Sequence, residues 1–241
     1  MGASGEVDLE RYLADTYGLD HCEVVTDMHQ DDLPLGPLGQ AGGKFLAHEI
    51  GRQEPMLIGV SYGRTLLACI DNLGRRPAPH IRVVSLMGEL TRSFDANPHV
   101  IVHRLAELTG AEATVMPAPF MANNAKDRDV LLSQKEIARA YQLARDCDLL
   151  LAGIGTTLDE AVLVTTGMIE PAEMQAIARA GGSGELLGHF FDDQGRPVEN
   201  EVTGRILTLP LEQLKNRKIV AVAGGRMKVR AVKAVLESGL L

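Results

Sequence analysis

Apolar residues along this chain follow two periods, and the periods alternate. Short, mostly apolar runs at 56–59, 81–87, 113–116, 149–154, 206–209 and 219–222 have the pattern of buried strands. Between them, apolar residues recur every three to four positions. Leu66, Leu67, Ile70 and Leu73 predict a helix over 65–73; Val100, Ile101, Leu105 and Leu108 predict one over 97–109; Ile137, Ala140, Tyr141 and Ala144 predict one over 130–145. Further helices are predicted over 171–180, 211–214 and 227–236. At the front, Val7, Leu9, Tyr12, Leu13 and Tyr17 predict a helix that stops at Gly18, and residues 22–25 predict a short strand. Pro34, Gly36, Pro37, Gly39 and Gly42 break any period, so 31–43 reads as a loop feeding a helix at 46–50. Residues 185–191 open a strand-rich excursion with a turn at 192–195.

Strands alternating with helices at this spacing predict an α/β fold with a mainly parallel sheet, because each crossover helix returns the chain to the same edge. Ligands of such sheets bind beyond the carboxyl ends of the strands. The loops after Ile58, Met87, Met116 and Ile154 are therefore expected to face one cleft.

Composition narrows the function. The 241 residues are 45% hydrophobic, enough to bury a substantial core, and carry a net charge of -8. That acidity gives no global attraction to nucleic acid or to anionic membrane. Cys22, Cys69 and Cys147 lack paired spacing and read as core residues of a reducing compartment. No apolar run reaches 18 residues and no signal peptide opens the sequence, so a cytoplasmic protein is expected.

Candidate chemistry sits in three glycine-rich turns that each lead toward a helix. The first, Gly59-Val60-Ser61-Tyr62-Gly63-Arg64-Thr65, joins a strand to a helix with two glycines, two hydroxyls and an arginine. Glycine permits close backbone approach, and free N–H groups with the helix dipole favour an anion, so the turn suits a phosphate or polyol. The alternative is a turn that only packs, with Ser61 or Thr65 as helix cap. The second turn runs from Gly153 through Gly155 and Thr156, and the third is Ala223-Gly224-Gly225-Arg226-Met227-Lys228. Other signals lead nowhere: GxxxxGK[ST] is absent, 153–158 lacks the third glycine of a dinucleotide site, and His99 and His103 lack a third ligand. No metal, cofactor or catalytic residue is expected.

GVSYGRTL at 59–66, DLLLAGIGT at 148–156, GELLGHFFDDQGRPV at 184–198 and the segment 211–240 together resemble, in order and spacing, the effector domain of the SorC family of bacterial transcriptional regulators. The resemblance implies a Rossmann-like three-layer sandwich similar to sugar-phosphate isomerases and deaminases. It also implies a phosphorylated sugar or related polyol phosphate as ligand, and a homo-oligomer, dimer or tetramer. DNA would be bound only through a helix-turn-helix module that residues 1–18 would link to the effector domain at 19–241. Members usually continue past the position of Leu240 with a further strand and helix, which this sequence lacks. Carried over by motif, the phosphate end falls among Gly59, Ser61, Gly63, Arg64 and Thr65, with Lys228 closing from the other side, and Tyr62 of the same turn is also expected to bind ligand. Glu185 matches an acidic position facing sugar hydroxyls. Glu89 and Asn124 lie in loops at expected strand ends, and Gly153, Gly155 and Thr156 contact ligand or shape the rim. The competing reading is an isomerase or aminosugar-phosphate deaminase on the same scaffold, with Glu89, Glu185, Asp159 and Glu160 as candidate acids and bases.

Overall fold

The computed structural model describes residues 3–26, 34–89 and 97–241. Helix α1 (Ala3–Tyr17) leads, followed by α2 (Leu35–Ile50), β1 (Met56–Val60), α3 (Arg64–Asp71), β2 (Ile81–Ser85), α4 (Pro98–Thr109) and β3 (Glu112–Thr114). Two helices, α5 (Ala125–Ser133) and α6 (Lys135–Arg145), precede β4 (Leu149–Gly153) and the two-residue β5 (Gly155–Thr156). Then come α7 (Val162–Thr165), α8 (Pro171–Arg179), the hairpin β6 (Gly184–Leu186) and β7 (His189–Phe191), α9 (Leu211–Leu214), β8 (Ile219–Val222) and α10 (Val229–Glu237).

The main sheet has the order β3-β2-β1-β4-β8, and every pairing in it is parallel. Alternation along each strand divides the core into two layers. Ile58 and Val60 of β1, Val83 of β2, and Leu149 and Leu151 of β4 pack with Leu46 and Ile50 of α2, Leu66 and Ile70 of α3, and Ile101 and Leu105 of α4. Leu57, Val84, Leu150 and Ala152 face the other way, toward Met174 and Ile177 of α8, Ala231 and Val235 of α10, and Phe190 and Phe191 of the hairpin. The result is the expected three-layer α/β sandwich. Because β2 and β4 flank β1, the crevice where connections diverge lies beyond the carboxyl ends of β1 and β4, the usual ligand position in open parallel sheets.

Four local expectations are corrected. From Leu35 the expected loop is helix α2; residues 31–33 lie outside the described residues. Its glycines form a contact surface: a Cβ on Gly43 would stand 2.9 Å from both Asn72 Cβ and Cys69 O, and one on Gly39 2.9 Å from Ala68 O. Glycine weakens the isolated helix, but here it lets α2 lie on α3 at backbone distance. Gly43→Ala therefore sets a propensity gain of about 1 kcal/mol against overpacking of about 1–3 kcal/mol. A net loss of about 1 kcal/mol in urea denaturation is expected; a gain would show that the interface yields.

Residues 22–25 form no strand, since the Val24 amide donates to the Glu10 carboxylate at 2.8 Å instead of to a sheet neighbour. The helix expected over 130–145 breaks at Gln134, whose extended backbone follows a Ser133 hydroxyl turned onto Val130 O. Residues 206–209 make one antiparallel bridge, Met121 to Ile206, with the Leu207 amide on Phe120 O at 3.0 Å, too short a pairing for a strand. Cys69 and Cys147 are buried as expected, and burial pushes both thiols up to about 12.

Candidate functional site

Helix α3 begins at Gly63, whose backbone at φ 127° and ψ 149° is a conformation open essentially to glycine. No side chain caps this helix, which removes the reading of Ser61 or Thr65 as a cap. Ser61 is buried with its hydroxyl toward Met87 Sδ. Leu66 and Leu67 both donate their amides to Gly63 O, while the amides of Gly63, Arg64 and Thr65 have no acceptor among the described residues. A Cβ at Gly63 would meet nothing within 4 Å, so the turn is open on that side. Free amides, a helix dipole and an exposed arginine converge there. The Arg64 side chain has no hydrogen-bond or ion-pair partner among the described residues.

The other side of the crevice comes from the carboxyl ends of β4 and β8 and from the hairpin. Lys228 stands at the N-terminus of α10 without capping it and is partly buried, donating from Nζ to Ile154 O at 2.6 Å. Burial pushes its ammonium pKa down; the nearby Glu185 carboxylate opposes this and the Arg64 charge adds to it. Arg64 and Lys228 thus share one electrostatic neighbourhood and repel, a cost that an anion between them removes.

Glu185 is the buried carboxylate of this site. Tyr62 Oη donates to Oε2 at 2.5 Å and the Gly188 amide to Oε1 at 2.6 Å. Burial pushes the carboxyl pKa up, and both hydrogen bonds together with Lys228 pull it back. A Cβ on Gly155 would stand 2.4 Å from Oε2, so only glycine lets the β5 backbone lie on the carboxylate. Tyr62 is itself buried, edge-on to Phe120 at 6.3 Å between ring centroids.

Of the expected residues, the structure brings together Tyr62, Gly63, Arg64, Thr65, Gly155, Glu185 and Lys228. Gly153 ends β4 beside the Tyr62 carbonyl, and Thr156 is taken up in pairing with Gly184. Gly59 is an interior strand position instead: its missing side chain makes room for Leu86 and Cys147. Asn124 caps α5 through Asp127 N at 2.9 Å, and Glu89 is exposed where Gly88 and Glu89 run along Ala118 and Pro119. His99 bonds Met116 O, an anchoring contact rather than a ligand geometry. Sequence reasoning missed Gly188: Leu187 and Gly188 both take positive φ in the tight β6–β7 hairpin, but a Leu-Gly pair is not among the residue pairs that mark such a turn in a sequence.

A groove of about 2300 Å³ reaches Arg64, Ile154 and Gly225 at one end and extends along β8 toward α1. A smaller cavity of about 380 Å³ between His48, Arg52 and Arg76 lies by the loops that enter β1 and β2, at the opposite end of the strands. Among the described residues no helix is long and apolar enough to cross a membrane, and no group of three His, Cys, Asp or Glu is placed to hold a metal ion.

A profile of the Sugar-bind family of sugar-binding domains matches residues 2–241. The erythritol catabolism regulatory protein EryD of Brucella abortus is 48% identical over 235 residues, which span 98% of this chain and 74% of EryD. Among solved structures, a DeoR family transcriptional regulator from Listeria monocytogenes superposes with a TM-score of 0.88 at 22% identity, over 98% of this chain and 94% of that one. The full-length sorbitol operon regulator SorC from Klebsiella pneumoniae superposes with a TM-score of 0.86 at 19% identity, over 98% of this chain and 76% of that one. At those identities the superpositions speak for the fold alone, while the family match and EryD speak for descent. The chain belongs to the Sugar-bind family and is the sugar-binding domain of a SorC-type transcriptional regulator.

Proposed function

We propose that this domain senses a short phosphorylated polyol or sugar, with the phosphate held at the start of α3 and the hydroxyls directed toward Glu185. What supports this reading is that the amides of Gly63, Arg64 and Thr65 and the Arg64 side chain have no partner among the described residues, and that Arg64 and the buried Glu185 carboxylate both act electrostatically on the partly buried Lys228. Gly63, Arg64, Thr65 and Lys228 bind the phosphate; Tyr62, Gly155 and Glu185 shape the polyol end; Gly153 and Thr156 form the rim. The name of EryD supports a small polyol as the ligand class. Ligand binding biases the packing of a cytoplasmic homo-oligomer, and a DNA-binding module joined through α1 reads out the change. A coupling free energy of about 1–3 kcal/mol suffices for such a response.

The enzyme reading finds no support in the relatives, which are named as regulators. Nor does the structure supply a catalytic pair: Asp159, Glu160 and Glu89 are exposed, and among the described residues no second carboxyl hydrogen-bonds to Glu185.

The test is a thermal-shift comparison of erythritol 4-phosphate, erythritol and inorganic phosphate. At 100 times its dissociation constant a ligand adds roughly 2.7 kcal/mol of stability, a rise of about 5–10 °C for a chain of this size. The phosphorylated polyol is expected to give that rise and to be recovered unchanged. Equal responses to erythritol and its phosphate would remove the phosphate assignment, and conversion of the compound would restore the enzyme reading.

A further inference from the structure

We infer that Glu185 is the positioning residue of Lys228: from inside the fold its carboxylate holds the ammonium as a fixed cation at the phosphate end. The inference rests on the phosphate reading above and adds to it the group that keeps Lys228 charged. Two backbone contacts place the pair side by side. Strand β6 lies on the first turn of α10, since a Cβ on Gly184, the neighbour of Glu185, would stand 2.5 Å from Ala231 O. Strand β5 lies on the carboxylate itself: Gly155 is the register partner of Glu185, and a Cβ on it would stand 2.4 Å from Oε2. The residue before Gly155 is Ile154, whose carbonyl accepts from Lys228 Nζ at 2.6 Å. Carboxylate and ammonium are therefore both held against the same two-residue stretch of backbone, Ile154-Gly155.

Charge points the same way. Glu185 is 1% exposed, and its oxygens accept from Tyr62 Oη and Gly188 N. These two neutral donors suit an ionised carboxylate but leave its charge unbalanced in the interior. Among the described residues, Lys228 is the cation that acts on it. Lys228 is in turn under three influences: burial pushes its pKa down, Glu185 pulls it up, and the Arg64 charge pushes it down again. Without the carboxylate, burial and Arg64 would act with no charge to oppose them, and a neutral amine does not hold a phosphate by charge.

Calorimetric titration of erythritol 4-phosphate from about pH 7 to about pH 10, where a phosphate monoester stays ionised, tests the assignment. Affinity should fall as pH rises through the Lys228 pKa, and in Glu185→Gln the fall should come at lower pH than in wild type. The affinity lost between about pH 7 and about pH 9 should exceed the wild-type loss by about threefold or more. A folded Glu185→Gln that follows the wild-type profile, or that is weaker by the same factor at every pH, overturns the inference, because a residue that only packs or meets hydroxyls does not move the profile.

A measurement without ligand covers a Glu185→Gln that fails to fold. The coupling is reciprocal, so in Lys228→Met the Glu185 carboxyl should be held still further above its ordinary pKa. A group whose pKa is raised on folding contributes stability that is lost as pH rises through the raised value. The thermal midpoint of Lys228→Met should therefore drop further behind that of wild type as pH rises from about 5 to about 8, by roughly 2–4 °C. A constant difference over that range overturns the inference. If wild type binds no phosphate at any pH while this difference grows, the phosphate reading fails and the coupling of Glu185 to Lys228 stands.

Discussion

Lys228→Met is expected to weaken a phosphorylated polyol by about 30- to 100-fold while changing the unphosphorylated polyol by less than about fivefold. A hydrogen bond to a charged partner contributes about 1.5–3 kcal/mol, and every 1.4 kcal/mol is about tenfold in affinity. The size of the effect follows from where the ammonium sits. Lys228 is partly buried and fixed by Ile154 O at 2.6 Å, so its charge is positioned before ligand arrives and costs little ordering on binding. Arg64 is exposed and must be ordered on binding, so Arg64→Ala is expected to produce the same selectivity with a smaller loss. Titration calorimetry of phosphorylated and free ligand against both variants reads the difference. Equal losses for the two ligand forms in Lys228→Met would show that the lysine serves packing and not charge.

Gly184→Ala is expected to lower the thermal midpoint by about 5–10 °C, corresponding to about 2–3 kcal/mol of overpacking in a chain of this length. A Cβ there would stand 2.5 Å from Ala231 O and 3.0 Å from Ala231 Cα, and neither atom can turn away as a flexible side chain would. The contact also has a functional consequence. Gly184 opens β6, which carries Glu185, and Ala231 lies in the first turn of α10, which Lys228 immediately precedes. Forcing β6 from α10 therefore separates the carboxylate from the ammonium, and ligand affinity should fall with stability. Gly204→Ala is the control, since a Cβ at Gly204 meets nothing within 4 Å; it should stay within about 0.5 kcal/mol of wild type. Matching midpoints for Gly184→Ala and wild type would mean that α10 and the hairpin are not in the backbone contact described.

Both effects arise from contacts between residues far apart in the chain. The sequence by itself determined the strands of the main sheet, most of the helices and the parallel pairing, because burial on one or two faces imposes a period on neighbouring residues and that period survives in one dimension. It also located the glycine turn before α3 and the lysine at the start of α10, since a chain leaving a strand for a helix needs open backbone there, and an anion explains a cation at that position. Only the tertiary structure decided what those turns face. Tyr62 and Glu185 are 123 residues apart, and no local pattern pairs them; the sheet order and the β6–β7 hairpin do. The same applies to the glycines of α2 and to Gly59. In one dimension a missing side chain reads as freedom of the backbone, and only the packed neighbours Cys69, Asn72 and Leu86 show that it is a requirement for space. Periodicity is a property of adjacent residues, whereas room and charge pairing depend on what the fold brings from elsewhere.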